Sequence, residues 1–182
     1  MTGGLPPGTA HRAGVALDTL VRVQQDFPIP GVLFRDLTAV LANAPALADV
    51  ADALAWAEAD VDLIAGIEAR GFLLGAAAAV RRGLGVVAVR KPGKLPGAVL
   101  AEDYALEYGR GRLEMHPDDV PAGARVLIID DVLATGGTAA AACRLIRRAG
   151  GIVAGISVAV ELPALGGRAA TGEVPLHALR AW

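Results

Sequence analysis

The chain has 182 residues, a length that suits one domain with enough material to bury a core. Hydrophobic residues make up 54% and aromatic residues only 4%, so the core is mostly aliphatic, as in parallel sheets covered by closely packed helices. A net charge of −2 excludes a general attraction to nucleic acid or an anionic membrane. A single cysteine, Cys143, excludes an internal disulfide, and no apolar run reaches spanning length; we therefore expect a cytoplasmic protein.

The first quarter of the chain holds several breaks in pattern. Residues 1–12 carry glycine and proline without periodicity and are predicted to be a disordered arm, which leaves a single domain over 13–182. Apolar residues at helical spacing predict a helix over 14–25. Two prolines within 27–31 exclude a helix and predict a stiff, extended segment. Pro45 suits the first turn of a helix that runs to Trp56.

Strand and helix patterns alternate through the rest of the chain. Strands are predicted at 61–66, 86–90, 125–130 and 152–160, and helices at 71–82 and 138–149. This alternation predicts an α/β fold with a Rossmann-like parallel sheet flanked by helices. Residues 91–119 interrupt the alternation, and a long insertion between core strands is typical of an active-site flap.

One stretch combines an apolar strand, two adjacent acids and a turn of small residues. The strand over 126–129 is followed by Asp130 and Asp131, and then by Ala134, Thr135, Gly136, Gly137 and Thr138. Ligands of open α/β sheets bind beyond the carboxyl ends of strands, and the N–H groups of such a turn attract anions. The acids would repel a free phosphate but would accept hydrogen bonds from a diol. The pattern therefore predicts a site for a sugar phosphate such as ribose 5-phosphate.

This stretch resembles the phosphoribosyl pyrophosphate (PRPP) signature of the type I phosphoribosyltransferases. Other segments narrow the resemblance to the adenine phosphoribosyltransferases: FPIPGVLFRD at 27–36, GIEARGF at 66–72, VRKPGKLPG at 89–97 and LEYG at 106–109. The resemblance implies the type I phosphoribosyltransferase fold, with a small hood at about 26–42 and a flexible flap at about 91–119. It also implies purine salvage, in which the phosphoribosyl group of PRPP passes to N9 of adenine and yields AMP and pyrophosphate.

The resemblance assigns PRPP to several groups of residues. Asp130 and Asp131 would meet the ribose hydroxyls, residues 134–138 would hold the 5-phosphate, and Glu68 and Ala69, joined by a cis peptide bond, would hold pyrophosphate. Arg70 would act catalytically by supplying fixed positive charge there. Three further cations, Arg90, Lys91 and Lys94, would reach the pyrophosphate across the interface of a homodimer.

The base and the chemistry are assigned in the same way. Phe34 would stack on the adenine ring while backbone groups of Leu33 and Arg35 read its edge. In the flap, Glu107 would act either as the acid–base or as an electrostatic stabiliser of the ribose cation. Tyr104 and Tyr108 would shield the site from water.

Magnesium is implied by the substrate. The ion would be bound mainly through pyrophosphate oxygens, so no protein ligand is predicted, and the scattered histidines show no metal spacing. Two alternatives stay open. A 6-oxopurine phosphoribosyltransferase would differ in the base-reading segment. A non-catalytic PRPP-sensing regulator is disfavoured because the region before the core is too short for a winged helix and no basic stripe exists.

Overall fold

The structure, a computed structural model, describes residues 5–105 and 110–182. The helices are α1 (Thr9–Leu20), α2 (Thr38–Leu41), α3 (Ala44–Ala55), α4 (Arg70–Arg82), α5 (Gly137–Arg148) and α6 (Gly167–Thr171). The strands are β1 (Arg22–Gln24), β2 (Phe34–Asp36), β3 (Leu63–Ile67), β4 (Gly85–Val89), β5 (Leu100–Ala105), β6 (Arg110–Met115), β7 (Arg125–Leu133), β8 (Ile152–Glu161) and β9 (Leu176–Ala181). No helix in this part of the chain is long and apolar enough to cross a membrane.

A five-stranded sheet in the order β4-β3-β7-β8-β9 forms the centre of the molecule. Every neighbouring pair in it is parallel, so the carboxyl ends of all five strands lie at one edge. The predicted fold class, a parallel sheet flanked by helices, is confirmed. The four predicted core strands are present, and β9 is an additional strand that the sequence analysis did not predict.

Strand β7 buries side chains on both faces of this sheet. Leu127 and Ile129 pack with α1, α3 and α4, whereas Val126 and Ile128 pack with α5 and with β6 of the flap. All four side chains are completely buried. Because side chains on both faces of this strand are buried, its sequence is a continuous apolar run rather than an alternation of apolar and polar residues.

The chain before the first core strand differs from the prediction at both ends of its first helix. Helix α1 begins at Thr9, which is fully buried, and Arg12 forms a 2.8 Å ion pair with Asp49. The prediction of a loose arm is therefore wrong for residues 9–12. The helix also ends earlier than predicted, at Leu20, because β1 leaves it to pair antiparallel with β2.

The proline-containing segment at 27–31 is a turn rather than the extended segment predicted. The carboxylate of Asp26 accepts a 2.7 Å hydrogen bond from the backbone N–H of Gly31, and Phe27 N–H donates to the carbonyl of Val32. These two bonds fold the segment back on itself and lead the chain into β2. Proline does exclude a helix here, as expected, but it also suits a turn.

The predicted flap contains the antiparallel hairpin β5–β6. Its base is fastened to α5, because the carboxylate of Glu102 pairs with Arg144 at 2.9 Å and with Arg148 at 2.7 Å. These two guanidinium groups lower the pKa of Glu102 below its ordinary value. The hairpin is thereby held alongside α5.

Candidate active site

Asp130 and Asp131 lie near the carboxyl end of the central strand β7. The backbone N–H of Asp131 donates a 2.9 Å hydrogen bond to the Asp130 carboxylate, and Asp131 is only 6% exposed. Burial, together with repulsion from the neighbouring Asp131, raises the pKa of Asp130 well above its ordinary value. The structure thus holds the two predicted acids together in a partly desolvated position.

Helix α4 begins directly against this acid pair, and Gly71 makes the approach possible. A Cβ atom at Gly71 would lie 2.8 Å from the carbonyl oxygen of Ile129 and 2.9 Å from a carboxylate oxygen of Asp130. No larger residue fits there without displacing β7. The preceding residue, Arg70, is the first of the helix, so its side chain is delivered to the acids.

The turn between β7 and α5 also depends on a close approach. Gly136 has a φ of +77°, and a Cβ there would collide with the carbonyl of Gly167 and lie 2.9 Å from Cβ of Ala170. Helix α6 therefore supports the turn that the sequence analysis assigned to a phosphate. Helix α5 starts at Gly137 with no acidic residue in its first turn, so its free N–H groups and dipole favour an anion.

The ends of β3 and β4 are tied together by Glu68. Its carboxylate accepts hydrogen bonds from the backbone N–H of Lys91 at 2.9 Å and from Nε of Arg90 at 3.3 Å. The Lys91 bond, followed by the charge of Arg90, lowers the pKa of Glu68. The Glu68–Ala69 peptide bond is cis, as predicted.

These strand ends surround a charged cavity of about 680 Å³. It is lined by Phe27, Phe34, Asp36, Thr38, Glu68, Ala69, Arg70, Lys91, Tyr104, Leu113, Asp130, Asp131 and Thr138. Asp36 and Thr38 line this cavity but were not among the predicted site residues. The carboxylate of Asp36 accepts hydrogen bonds from the backbone N–H and the hydroxyl of Thr38, which lower the pKa of Asp36. An Asp two residues before a Thr at a helix start is a recognisable turn pattern that could have flagged them.

A second, apolar cavity of about 540 Å³ lies beside the first. It is lined by Gly31, Val32, Leu33, Phe34, Arg35, Arg70, Asp131, Val132, Ala134, Leu162, Ala164, Leu165 and Trp182. All three predicted base-binding residues are present. The residues after β8 and β9 were missed, although the rule that ligands bind beyond strand carboxyl ends applies to these strands as well.

The two cavities share a wall formed by Phe34, Arg70 and Asp131. Nε of Arg70 lies 2.7 Å from a carboxylate oxygen of Asp131, and its guanidinium group lies 5.1 Å from the centre of the Phe34 ring. The same side chain donates a 3.3 Å hydrogen bond to the carbonyl of Arg35. Arg70 therefore contacts groups that belong to both cavities.

Several other predicted site residues do not line either cavity. Arg90 and Lys94 line neither cavity; the guanidinium group of Arg90 is bonded to Glu68 and to the carbonyl of Lys94. Thr135 lies in the turn that follows β7, and Gly137 is the first residue of α5. Glu107 and Tyr108 lie outside the described residues, so their assignments stay predictions.

The fold and the site define the class of protein. An acid pair at the end of a parallel strand, followed by a glycine turn and a helix N-terminus, suits a ribose phosphate. In agreement, residues 36–174 match the family model for the phosphoribosyl transferase domain.

Individual relatives are more specific. An adenine phosphoribosyltransferase of Clavibacter michiganensis subsp. michiganensis is 61% identical over 150 residues, which cover 82% of this chain and 86% of the relative. The crystal structure of an adenine phosphoribosyltransferase from Thermoanaerobacter pseudethanolicus superposes with a TM-score of 0.89 at 44% identity, covering 93% of this chain and 99% of the other. That of the Saccharomyces cerevisiae enzyme, complexed with an imino-altritol bisphosphate and adenine, gives 0.86 at 35% identity, covering 93% and 99%. The chain belongs to the adenine phosphoribosyltransferase family.

Proposed function

We propose that this enzyme transfers the 5-phosphoribosyl group of PRPP to N9 of adenine, forming AMP and pyrophosphate in purine salvage. The observation that carries the proposal is the wall shared by the charged and apolar cavities, formed by Phe34, Arg70 and Asp131. A base in one cavity and a sugar phosphate in the other meet at this wall. The bond between them forms where the two cavities join.

The apolar cavity suits a flat, uncharged purine. Phe34 offers a ring for stacking, and it is held edge-on by Phe27 with ring centres 5.0 Å apart. Backbone groups of Leu33 and Arg35 are available to read the ring edge, and the Arg35 carbonyl is positioned by its hydrogen bond from Arg70. These contacts support adenine as the base.

The charged cavity suits the sugar. Asp130 and Asp131 accept hydrogen bonds from the two ribose hydroxyls, and the turn at 134–138 receives the 5-phosphate through N–H groups and threonine hydroxyls. Lys91 and Arg70 supply local positive charge for the pyrophosphate, which the net charge of −2 does not. Because the acids bind hydroxyl groups while other residues bind the phosphates, two carboxylates can lie in a site for an anionic ligand without repelling it.

The reaction breaks the bond between the anomeric carbon and a pyrophosphate oxygen, and the electron pair leaves with pyrophosphate. N9 of adenine attacks the same carbon, and the N9 proton passes to the carboxylate of Glu107 or, if Glu107 acts only electrostatically, to water. Positive charge on the ribose is stabilised by the nearby carboxylates, and Arg70 stabilises the negative charge that builds on the leaving group. Tyr104 lines the cavity from the flap side, where it helps exclude water that would otherwise capture the ribose cation.

The residues of the charged cavity fit a magnesium ion that arrives with the substrate. Carboxylate oxygens are its preferred protein ligands, and Asp130 and Asp131 both line this cavity. No cluster of three potential metal-ligating side chains occurs in residues 5–105 and 110–182. Magnesium would neutralise pyrophosphate charge, bound mainly through substrate oxygens.

We also propose that the protein is a homodimer and that it is located in the cytoplasm. Leu73 and Val80 on α4 are 58% and 80% exposed, and Val86 on the neighbouring edge strand is 46% exposed. Leu73 and Val80 share one face of α4, because they are two turns apart, and exposed aliphatic side chains on one face favour association. The molar mass measured by light scattering tests the dimer, because a monomer at assay concentration contradicts it.

The single buried cysteine agrees with a reducing compartment such as the cytoplasm.

The direct test is incubation of the purified protein with PRPP, Mg²⁺ and one base at a time. We expect AMP and pyrophosphate from adenine, with much lower turnover for hypoxanthine, guanine and xanthine. Faster turnover of any 6-oxopurine would overturn the assignment of adenine. Failure to release pyrophosphate with every base would support the PRPP-sensing alternative.

A further inference from the structure

Arg35 and Trp182 line the apolar cavity and also a smaller cavity of about 290 Å³ behind it. They are the two residues that these cavities have in common among those the structure describes. The remaining walls of the small cavity come from α1 and β1, and include Leu17, Asp18 and Val23. The Arg35 and Trp182 side chains therefore stand as a partition between the two spaces.

The partition is held by stacking. The guanidinium carbon of Arg35 lies 5.4 Å from the centre of the Trp182 ring, within the range of a cation–π contact. Nε of Arg35 is buried and has no hydrogen-bond partner among the described residues. The indole ring is thus a contact that helps to orient this guanidinium group.

Trp182 itself is anchored through its backbone. Its N–H donates a 3.0 Å hydrogen bond to the carbonyl of Glu161, the last residue of β8, and it directly follows β9. Both neighbours belong to the rigid central sheet. The ring is therefore carried on a fixed support rather than on a mobile loop.

We infer that the Arg35–Trp182 stack limits the size of the base that the enzyme accepts. The inference rests on the proposed function, in which backbone groups of Leu33 and Arg35 read the ring edge, and it places the exocyclic amine of adenine on the Arg35 side. A substituent on that amine would point at the Arg35 side of the cavity and meet the partition. Removing the indole joins the apolar and small cavities and makes room for such a substituent, so Trp182 is a specificity-determining residue.

The experiment compares adenine with N6-benzyladenine as acceptors, each with PRPP and Mg²⁺. We expect Trp182→Ala to raise the ratio of kcat/KM for N6-benzyladenine to that for adenine by at least about tenfold, the scale of discrimination by an apolar pocket. Trp56→Ala is the matched control, because Trp56 carries an equivalent stack with Arg82 at 4.5 Å and lines neither cavity. Its ratio should stay at the wild-type value.

An unchanged ratio in Trp182→Ala, with wild-type protein forming AMP, overturns the inference alone. A wild-type protein that forms no AMP overturns the proposed function and the inference together. If Trp182→Ala does not fold, Trp182→Phe replaces it, and a ratio raised above wild type is again expected.

Fluorescence supplies a second measurement that does not depend on turnover. The chain has two tryptophans, so Trp56→Phe leaves Trp182 as the reporter and Trp182→Phe leaves Trp56. Adenine titrated in the presence of pyrophosphate should change the emission of Trp182 and leave that of Trp56 unchanged. Emission of Trp182 that is unaffected by saturating adenine places the ring away from the base and overturns the inference.

Discussion

The charged cavity and the apolar cavity share a wall but are assembled in different ways. Most charged side chains of the charged cavity lie at or near the carboxyl ends of β3, β4 and β7, so their placement follows from the sheet topology: Glu68, Arg70, Lys91, Asp130 and Asp131. The apolar cavity combines β2 with the segment after β8 and with Trp182 after β9, which lie far apart in sequence. The charged side chains of the first cavity are therefore positioned by short sequence motifs, whereas the walls of the apolar cavity are brought together by tertiary packing.

The largest effect is expected from neutralising the acid pair in the charged cavity. The double variant Asp130→Asn with Asp131→Asn should lower kcat/KM for PRPP at least about 100-fold, because two hydrogen bonds from ribose hydroxyls to charged acceptors are weakened. Steady-state kinetics with saturating adenine measure this. Asp60→Asn, at a side chain that is 79% exposed, is the control and should behave as wild type.

The single variant Asp130→Asn, which keeps the 2.7 Å ion pair between Arg70 and Asp131, should remain folded. The pKa of Asp130 is raised in the folded state, so its ionised form is disfavoured there, and at pH 7 this acid opposes folding. A neutral asparagine removes that penalty, and we expect the melting temperature at pH 7 to be no lower than that of wild type. Wild-type kinetics in the double variant would reject the ribose role of the acids.

The next effect concerns the flap over the charged cavity. Glu107→Gln should lower kcat by about 100-fold with little change in either KM, as expected for a residue acting on the transition state. Rates over a range of pH distinguish an acid–base from an electrostatic role, since loss of one limb of the profile indicates proton transfer. A change confined to KM would remove Glu107 from the chemistry.

A smaller and selective effect is expected at the shared wall. Phe34→Leu removes the stacking surface, so KM for adenine should rise by about three- to tenfold while KM for PRPP changes less. Phe72→Leu is the matched control, because Phe72 also lies under a guanidinium group, that of Arg90 at 5.6 Å, and lines neither cavity. Equal increases in the two KM values would show that the wall does not separate base from sugar.

The smallest effect is on stability, at the base of the flap. Glu102 has a lowered pKa because of Arg144 and Arg148, so its ion pairs stabilise the fold above its ordinary value of 4.5 and are lost as the pH falls through the lowered pKa. Glu102→Gln should therefore melt below wild type at pH 7, and the gap should narrow at acidic pH. A gap that is independent of pH would assign the contribution to packing instead.

Much of the charged cavity could be predicted from the sequence, because its residues sit in contiguous motifs whose spacing reflects local backbone geometry. Asp130 and Asp131 were predicted from the pattern of strand, acids and turn, whereas Glu68 and Lys91 were assigned from the family resemblance; each lines the cavity. The fold class followed from the alternation of strand and helix patterns. Asp36 and Thr38 were missed because their turn is short and their role depends on β2 reaching the acid pair.

The rest could not be read from local pattern. Leu162 and Trp182 meet in the apolar cavity only because β8 and β9 are neighbours in the sheet, a pairing that no single segment encodes. Helix α1 begins at Thr9, which is buried against the rest of the protein, and Arg12 pairs with Asp49 on another helix. In both cases a contact between distant residues overrides the weak local signal.

We expect the base and the sugar phosphate to occupy the two cavities that are joined at Phe34, Arg70 and Asp131. A crystal structure of the enzyme with AMP and pyrophosphate tests it most directly. We predict the purine against Phe34 in the apolar cavity, the ribose hydroxyls on Asp130 and Asp131, and the 5-phosphate in the turn at 134–138. A purine bound outside the apolar cavity, or acids that do not contact the ribose, would contradict the account.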